Sequence, residues 1–315
     1  MGILGLYAVV VLIWGSTWIA IQFQLSVAPE AAVAYRFALA TLILMAWCGL
    51  RRLPMRFSRR DHLFMAALGV CLFSFNYVLI YIASIHLTSG LLAVVFSTIV
   101  IMNMINGAIF FHRRPETRTV IGAVLGMAGI SLVFARDLAA FDLATGGSIG
   151  LLLSLAGSYV ASLGNMASAR NHAQGIPVMQ ANAFGMLYGT VLLFGYIAVS
   201  GVPLTFDTSP SFLAALVYLA LFGSVIGFGT YLTLLGKIGP DRASYSSVMF
   251  PVVALLLSTW FEDFIWTGNI ILGVGLTMLG NVVILTKRMP KPASLVLSQV
   301  TPEPVCDDKP KQAGV

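Results

Sequence analysis

A single arginine lies inside an otherwise apolar or aromatic stretch, VAYRFALA, at residues 33–40. Its guanidinium is a planar fork of N–H donors that can grip a carboxylate with two hydrogen bonds. A charge deep in a bilayer costs about 2.5–3.5 kcal/mol on insertion scales. We therefore predict that Arg36 faces a cavity and pairs with an anionic group of a solute. Two structural alternatives are snorkelling toward the outer surface and an ion pair with Glu262 or Asp263.

Aromatic and amide side chains supply the other candidate solute contacts. Trp14 and Trp18 are four residues apart, as are Tyr77 and Tyr81, so each pair shares one helix face. At any single position the alternative is a hydrogen bond between helices or an aromatic ring at the membrane interface. Taken together, these side chains suit a small polar solute. The predicted binding residues are Arg36, Trp14, Trp18, Asn76, Tyr77, Tyr81, Asn103, Tyr159, Asn182 and Tyr231.

Enzymatic chemistry is not predicted. The sequence has no HExxH motif, phosphate loop or aspartate-rich prenyl site, and its four histidines lack metal-ligand spacing. We expect neither a cofactor nor a metal. All twelve acidic residues fall in loops, at the edges of apolar runs or in the C-terminal tail. Because proton relays in membranes usually need an embedded carboxylate or histidine, we predict no carboxylate-based proton coupling, and only His86 is a plausible titrating group.

Long apolar runs must position these side chains. Hydrophobic residues make up 58% of the chain and charged residues 10%, against about 25% charged in a soluble domain. Many runs approach the roughly 20 residues that span a bilayer, which predicts an all-α integral membrane protein. The net charge of +6 indicates basic cytoplasmic loops, not a nucleic-acid partner. Ten transmembrane helices are predicted at about 3–23, 29–50, 62–85, 87–111, 119–135, 147–169, 177–200, 211–235, 243–261 and 267–287.

The basic residues orient this arrangement. Of the 18 lysines and arginines, 16 fall on one side of the ten spans, beginning with the cluster after the second helix. Cytoplasmic loops carry such an excess, so both termini are predicted to be cytoplasmic. The tail at 290–315 is polar and rich in proline, and we predict that it is disordered in the cytoplasm.

An internal repeat divides the chain into residues 1–137 and 138–289. Each predicted unit has five helices, an odd number, so the second unit must enter the membrane from the opposite side. Inverted repeats of this kind are typical of secondary transporters that alternate around a central site. Four anchors recur in order: WGS (14–16) and AGS (156–158), Pro29 and Pro177, LPMRF (53–57) and VPLTF (202–206), and the glycine-rich runs beginning at Gly122 and Gly273.

The stretch LIWGSTWIAIQ (12–22) resembles the start of EamA-type proteins in the drug/metabolite transporter superfamily, and GAVLGMAGISLVF (122–134) matches the close of their first repeat. The resemblance implies a cavity surrounded by helices 1–4 and 6–9. It also implies that helices 5 and 10 lie outside as packing or dimer elements, with Gly122 and Gly126 allowing close backbone approach. A homodimer is thus possible.

The same resemblance implies the function, because characterised relatives mostly export amino acids or other small metabolites. We expect a multi-pass carrier of the bacterial inner membrane that exports an amino acid or a related small polar metabolite by alternating access. Its partners would be that solute and the lipid bilayer. The alternative is a flippase of a lipid-linked small headgroup. A closed central cavity would favour the carrier, and a lateral polar cleft open to lipid would favour the flippase.

Overall fold

The computed structural model describes residues 2–87, 92, 95–112, 117–133, 135, 147–253, 256 and 266–285. Within these ranges the protein is all-α and contains no strand. Its helices are α1 (Ile3–Gln22), α2 (Pro29–Leu50), α3 (Arg59–Val70), α4 (Asn76–His86), α5 (Ile99–Phe111), α6 (Thr117–Val133), α7 (Gly147–Ala173), α8 (Val178–Ser200), α9 (Pro210–Tyr218), α10 (Gly227–Ile238), α11 (Pro240–Ser244) and α12 (Gly268–Leu285).

Six continuous helices in the described part of the chain are long and apolar enough to cross a membrane. They are α1, α2, the helix Arg59–His86, α7, α8 and the helix Pro210–Ile238. Shorter apolar helices occupy Val95–Phe111, Thr117–Val133 and Gly268–Gly280. The predicted all-α membrane architecture is therefore confirmed for these six segments. The predicted tail at 290–315 lies outside the described residues.

Local signals in the sequence set where several helices begin. Ser58 caps α3, because its hydroxyl accepts a hydrogen bond from the Asp61 amide, and Ser209 caps α9 in the same way through Phe212. Such side-chain caps satisfy amide groups that have no partner within the helix. Pro29 stands in the first turn of α2, where the missing N–H has no cost.

Two of the long helices contain a π-helical turn. The turn Cys71–Phe75 joins α3 to α4, and the turn Leu219–Ile226 joins α9 to α10. A π turn changes the i→i+4 hydrogen-bond pattern and often marks a functional site. Its carbonyl groups can then take side-chain donors, and the Gly223 carbonyl accepts from the indole of Trp14 at 2.9 Å.

The helices α2 and α8 form a central pair. Their Thr41 and Thr190 hydroxyls lie 3.4 Å apart. The helices Arg59–His86 and Pro210–Ile238, each interrupted by a π turn, are called the broken helices below. Each of α2 and α8 is also covered by the connecting segment that precedes one of these broken helices. Phe206 packs edge-on against Tyr35 of α2, with ring centroids 5.2 Å apart. Phe57 packs edge-on against Phe184 of α8 at 6.0 Å.

The helices α6 and α12 pack closely against each other. A Cβ added at Gly129 would lie 2.5 Å from the Gly273 carbonyl oxygen, and one at Gly280 would lie 2.7 Å from the Gly122 carbonyl oxygen. Only glycine permits backbones to approach this closely. The side chain of Tyr245 also donates a hydrogen bond to the Gly122 carbonyl. The glycines singled out in the sequence therefore join two helices of the same chain.

Candidate functional site

A cavity lies between the broken helices, α1, α2, α5, α7 and the segment after α10. It leaves about 60 Å³ to the centre of a water-sized molecule. Roughly 10–15 Å³ is enough for one water, so the cavity admits several waters or part of a small solute. Its lining residues are Trp14, Thr17, Trp18, Ile21, Arg36, Leu72, Asn76, Tyr77, Ile80, Phe96, Ile99, Ala161, Asn165, Phe228, Tyr231, Ser244, Ser246, Ser247 and Phe250.

The side chain of Arg36 lines this cavity. It is almost fully buried, with 1% of its surface exposed. The Nε atom donates to the Ser224 hydroxyl at 2.9 Å, and Nη1 makes a long contact of 3.5 Å with the Tyr81 hydroxyl. The guanidinium also lies over the Tyr77 ring, 4.6 Å from its centroid. Snorkelling of Arg36 toward the surface is therefore wrong, because its charge is buried among these groups.

A second layer fixes the groups that contact Arg36. The Tyr81 hydroxyl donates to the Gln24 side-chain oxygen at 2.8 Å, which turns its lone pairs toward the guanidinium. Ser224 belongs to the π turn of the second broken helix. Glu262 and Asp263, the other predicted partners of Arg36, lie outside the described residues.

Aromatic rings form the walls of the cavity. Trp14 contacts Phe228 and Tyr231, with ring centroids 4.8 and 4.9 Å apart, and Phe250 at 5.8 Å. Edge-on and tilted ring pairs of this kind are favourable and rigid. The described cavity walls thus combine apolar ring surfaces with the cation of Arg36.

Amide and hydroxyl groups form another part of the wall. The Asn165 side chain donates to the Asn103 side-chain oxygen at 3.4 Å, and Asn103 donates to the Pro240 carbonyl at 3.4 Å. Asn165 lines the cavity, whereas Asn103 lies behind it. Ser244, Ser246 and Ser247 complete this neutral polar surface.

The structure brings most of the predicted binding residues together. Six line the cavity, namely Trp14, Trp18, Arg36, Asn76, Tyr77 and Tyr231. Tyr81 and Asn103 stand directly behind lining residues. The other two predicted residues are not among the lining residues. Tyr159 is 48% exposed on the surface of α7, and Asn182 is buried in α8.

Sequence reasoning missed the rings of Phe96, Phe228 and Phe250, as well as Ser224 and Gln24. Phenylalanine in an apolar run could equally face lipid, so residue type alone gave no signal. The spacing of Phe228 was a usable signal. It precedes the predicted binding residue Tyr231 by three positions and therefore shares its helix face. Ser224 and Gln24 are brought in by a π turn and an interhelical loop, which periodicity does not reveal.

Comparison with known proteins finds a family of membrane transporters and relatives named as transporters. The model of the EamA-like transporter family matches residues 1–135 and 148–286. "Uncharacterized inner membrane transporter YedA" of Escherichia coli (strain K12) is 31% identical over 258 residues, which cover 79% of each chain. "Probable amino-acid metabolite efflux pump" of the same strain is 23% identical over 290 residues, covering 89% of this chain and 92% of the relative.

A solved structure described as "Crystal structure of protein" aligns with a TM-score of 0.73 at 19% identity. It covers 90% of this chain, and 96% of that chain is matched. The similarity therefore extends through both halves of the fold.

Proposed function

The chain belongs to the EamA-like transporter family, and we propose that it exports an amino acid or a related small metabolite that bears a carboxylate. The protein is a multi-pass membrane transporter with inner-membrane relatives. Members of the family are transporters, not enzymes. The relative whose printed name is an amino-acid metabolite efflux pump supports the substrate class. No observation on the described residues favours a flippase of a lipid-linked headgroup.

The observation that carries the proposal is the buried cation in the cavity wall. The partners that the structure gives Arg36 are hydroxyl groups and aromatic rings, all neutral. A buried charge without a counter-ion is costly, and a solute carboxylate would supply the counter-ion. The nearby rings and amides would hold the remainder of the solute.

Alternating access is supported by correspondences between the two halves. The two π turns begin 148 positions apart, at Cys71 and Leu219. The paired residues Thr41 and Thr190 are 149 positions apart. We propose ten transmembrane helices in two inverted repeats, 1–137 and 138–289, that rock about the cavity.

The packing of the aromatic rings supports the same repeat. Tyr35 corresponds to Phe184, and Phe57 corresponds to Phe206, each 149 positions later. The two edge-on contacts, Phe206 on Tyr35 and Phe57 on Phe184, are therefore equivalent under an exchange of the two halves. Such exchange is expected when a twofold relation connects inverted repeats.

Both termini are proposed to be cytoplasmic. An ion pair of 2.9 Å joins Arg170, near the end of α7, to Asp61, near the start of α3. The proposed topology assigns both residues to the cytoplasmic side, so this contact is compatible with it. A homodimer is likewise proposed, and crosslinking of the purified protein in lipid would test it.

Transport by purified protein in liposomes tests the role of Arg36. We expect Arg36→Gln to lower carboxylate transport about tenfold or more, since removal of a charged hydrogen-bond partner costs about 1.5–3 kcal/mol. Arg36→Lys should restore transport only in part, because a point charge does not bind bidentately. Arg51→Gln is the matched control, since Arg51 is exposed at the end of α2 and lies over Trp47.

Each variant must retain the wild-type unfolding temperature and elution profile. Normal carboxylate transport by folded Arg36→Gln would contradict the proposal. Movement of a fluorescent lipid headgroup without movement of any soluble carboxylate would instead establish the flippase.

A further inference from the structure

We propose that the cavity prefers a monoanionic carboxylate carrying a neutral hydrogen-bond donor over a zwitterionic amino acid of the same shape. The chemical class is that of 2-hydroxy or N-acylated relatives of amino acids, with a flat apolar side chain. This inference rests on the proposed carboxylate site at Arg36 and specifies which carboxylates it accepts.

The first argument is the charge of the cavity. Arg36 is the cationic residue among the lining residues, and none of the described lining residues is acidic. A bound monoanion would neutralise the guanidinium. A bound zwitterion would add a second buried cation, its ammonium, and the described lining residues offer it no carboxylate. Burying a charge without a partner is unfavourable in a medium of low dielectric constant.

The second argument is a set of unpartnered acceptors. Asn76 Oδ1, Asn165 Oδ1 and Ser247 Oγ are buried and have no hydrogen-bond partner among the described residues. All three residues line the cavity. Leaving such an atom without a partner costs about 1–3 kcal/mol. A hydroxyl or amide N–H on the solute would satisfy one of them without adding charge.

The third argument concerns the body of the solute. Trp14, Trp18, Phe96, Phe228 and Phe250 present ring faces and edges around the same space. Aromatic rings pack favourably against one another in offset and edge-on arrangements. A planar apolar side chain on the solute would complete this arrangement, with its carboxylate toward Arg36 and its donor toward the neutral polar wall.

Four ligands that share a phenyl ring on a two-carbon unit separate these contributions. They are phenyllactate (anion with a hydroxyl donor), 3-phenylpropionate (anion without a donor), phenylalanine (zwitterion) and phenethylamine (cation). Affinity would be measured at pH 7 by calorimetry on the purified full-length protein in lipid nanodiscs. We expect phenyllactate to bind about tenfold more tightly than phenylalanine. Phenylpropionate should fall between them, and phenethylamine should not bind.

The outcomes distinguish this inference from the proposed function. If phenylalanine binds as tightly as phenyllactate, and Arg36→Gln abolishes both, the carboxylate site stands and the preference is wrong. If none of the three ligands that carry a carboxylate binds more tightly than phenethylamine, the carboxylate site and the preference are both wrong.

Two substitutions test the arguments separately. In Asn76→Leu, phenyllactate should lose its advantage over phenylpropionate while phenylpropionate binds as before. In Ser247→Asp, the new carboxylate should reverse the preference toward phenylalanine. Ser200→Asp is the matched control, because Ser200 is exposed at the end of α8. Unchanged selectivity in folded Asn76→Leu and Ser247→Asp would overturn the inference, and the wild-type ligand series decides it if either variant does not fold.

Discussion

The two central helices, α2 and α8, carry very different residues at positions that correspond under the proposed repeat. On α2, Arg36 extends its guanidinium into the wall of the cavity. The position 149 residues later on α8 is Gly185, and a Cβ there would lie 2.9 Å from the Phe73 ring. On α8, Gly189 meets the Gly69 backbone just as closely, since its Cβ would lie 2.8 Å from the Gly69 carbonyl oxygen.

Under the proposed repeat, this difference gives the cavity an arginine from one half only. No residue of α8 is among the described cavity lining, whereas α2 contributes its arginine. The α8 helix instead packs backbone against backbone with α3. Close backbone packing lies on α8 and the proposed solute contact on α2, although both helices share an initial proline and a threonine contact. Substitutions on either side test this difference, and their expected effects on stability and affinity differ in size.

The largest effect is expected on the packing side, from Gly69→Val. A side chain at Gly69 would overlap the Gly185 carbonyl, and overpacking against backbone costs about 1–3 kcal/mol or more. We expect a large loss of folded protein on thermal unfolding in detergent. Gly229→Val is the control, because nothing lies within 4 Å of its Cβ position. Equal stability of the two variants would show that α3 and α8 do not need this close contact.

On the recognition side, Ser224→Ala should weaken carboxylate binding by about tenfold, since a hydrogen bond to a charged group contributes about 1.5–3 kcal/mol. The Ser224 hydroxyl holds the Nε of Arg36 at 2.9 Å. Affinity would be measured by calorimetry. Ser200→Ala is the control for loss of a serine hydroxyl, because the Ser200 hydroxyl donates to the Tyr196 carbonyl of its own helix. An unchanged affinity would mean that the orientation of Arg36 does not depend on the π turn.

A smaller effect is expected where the two helices meet. Thr41→Val and Thr190→Val each remove one hydroxyl from the pair at 3.4 Å. Each should lower the free energy of unfolding by about 0.5–1.5 kcal/mol. The double variant should be less destabilised than the sum of the single variants, because they share one contact. Strict additivity in thermal unfolding would show that the hydroxyls do not interact.

The smallest effect is expected from pH, at the segment that covers α2. Hydrogen bonds from the Ser209 amide and the Ser26 hydroxyl hold the pKa of the Asp207 carboxyl below its usual value. The usual value is about 3.9, so the stabilisation is fully present above that pH and is lost as pH falls through the lower folded-state pKa. Wild-type unfolding temperature should therefore decline slightly more on acidification than that of Asp207→Asn. Parallel pH curves would contradict this contribution.

The sequence analysis predicted that Arg36 faces a cavity and left two alternatives open, snorkelling and an ion pair. An arginine inside an apolar run has few physically acceptable environments, and the structure gives it one of them, a cavity wall. Helices that are apolar on every side offer no such constraint. Tyr159 and Ser158 are neighbours on α7, yet the tyrosine is 48% exposed while the serine is fully buried. Since lipid and protein interior are both apolar, the sequence did not reveal which face of α7 is turned inward.

Asn182 shows a second reason why part of the site could not be predicted. An amide in a membrane helix can bind a solute or join helices, and the sequence does not distinguish these roles. The Asn182 side chain is buried on α8 and does not line the cavity, and its Oδ1 has no hydrogen-bond partner among the described residues. The π turns are a third reason, because they rotate later residues relative to earlier ones. The contacts from Ser224 to Arg36 and from Gly223 to Trp14 both depend on such a turn.

The central claim, that Arg36 pairs with a solute carboxylate, is tested most directly by changing both partners. Affinities of phenyllactate and its uncharged amide, phenyllactamide, would be measured for wild-type protein and for Arg36→Gln. We expect the amide to bind wild type about tenfold more weakly, a difference of about 1.4 kcal/mol, and both ligands to bind Arg36→Gln with similar affinity. If the change from carboxylate to amide weakens binding equally in wild type and in Arg36→Gln, the carboxylate is recognised elsewhere. That result would contradict the account.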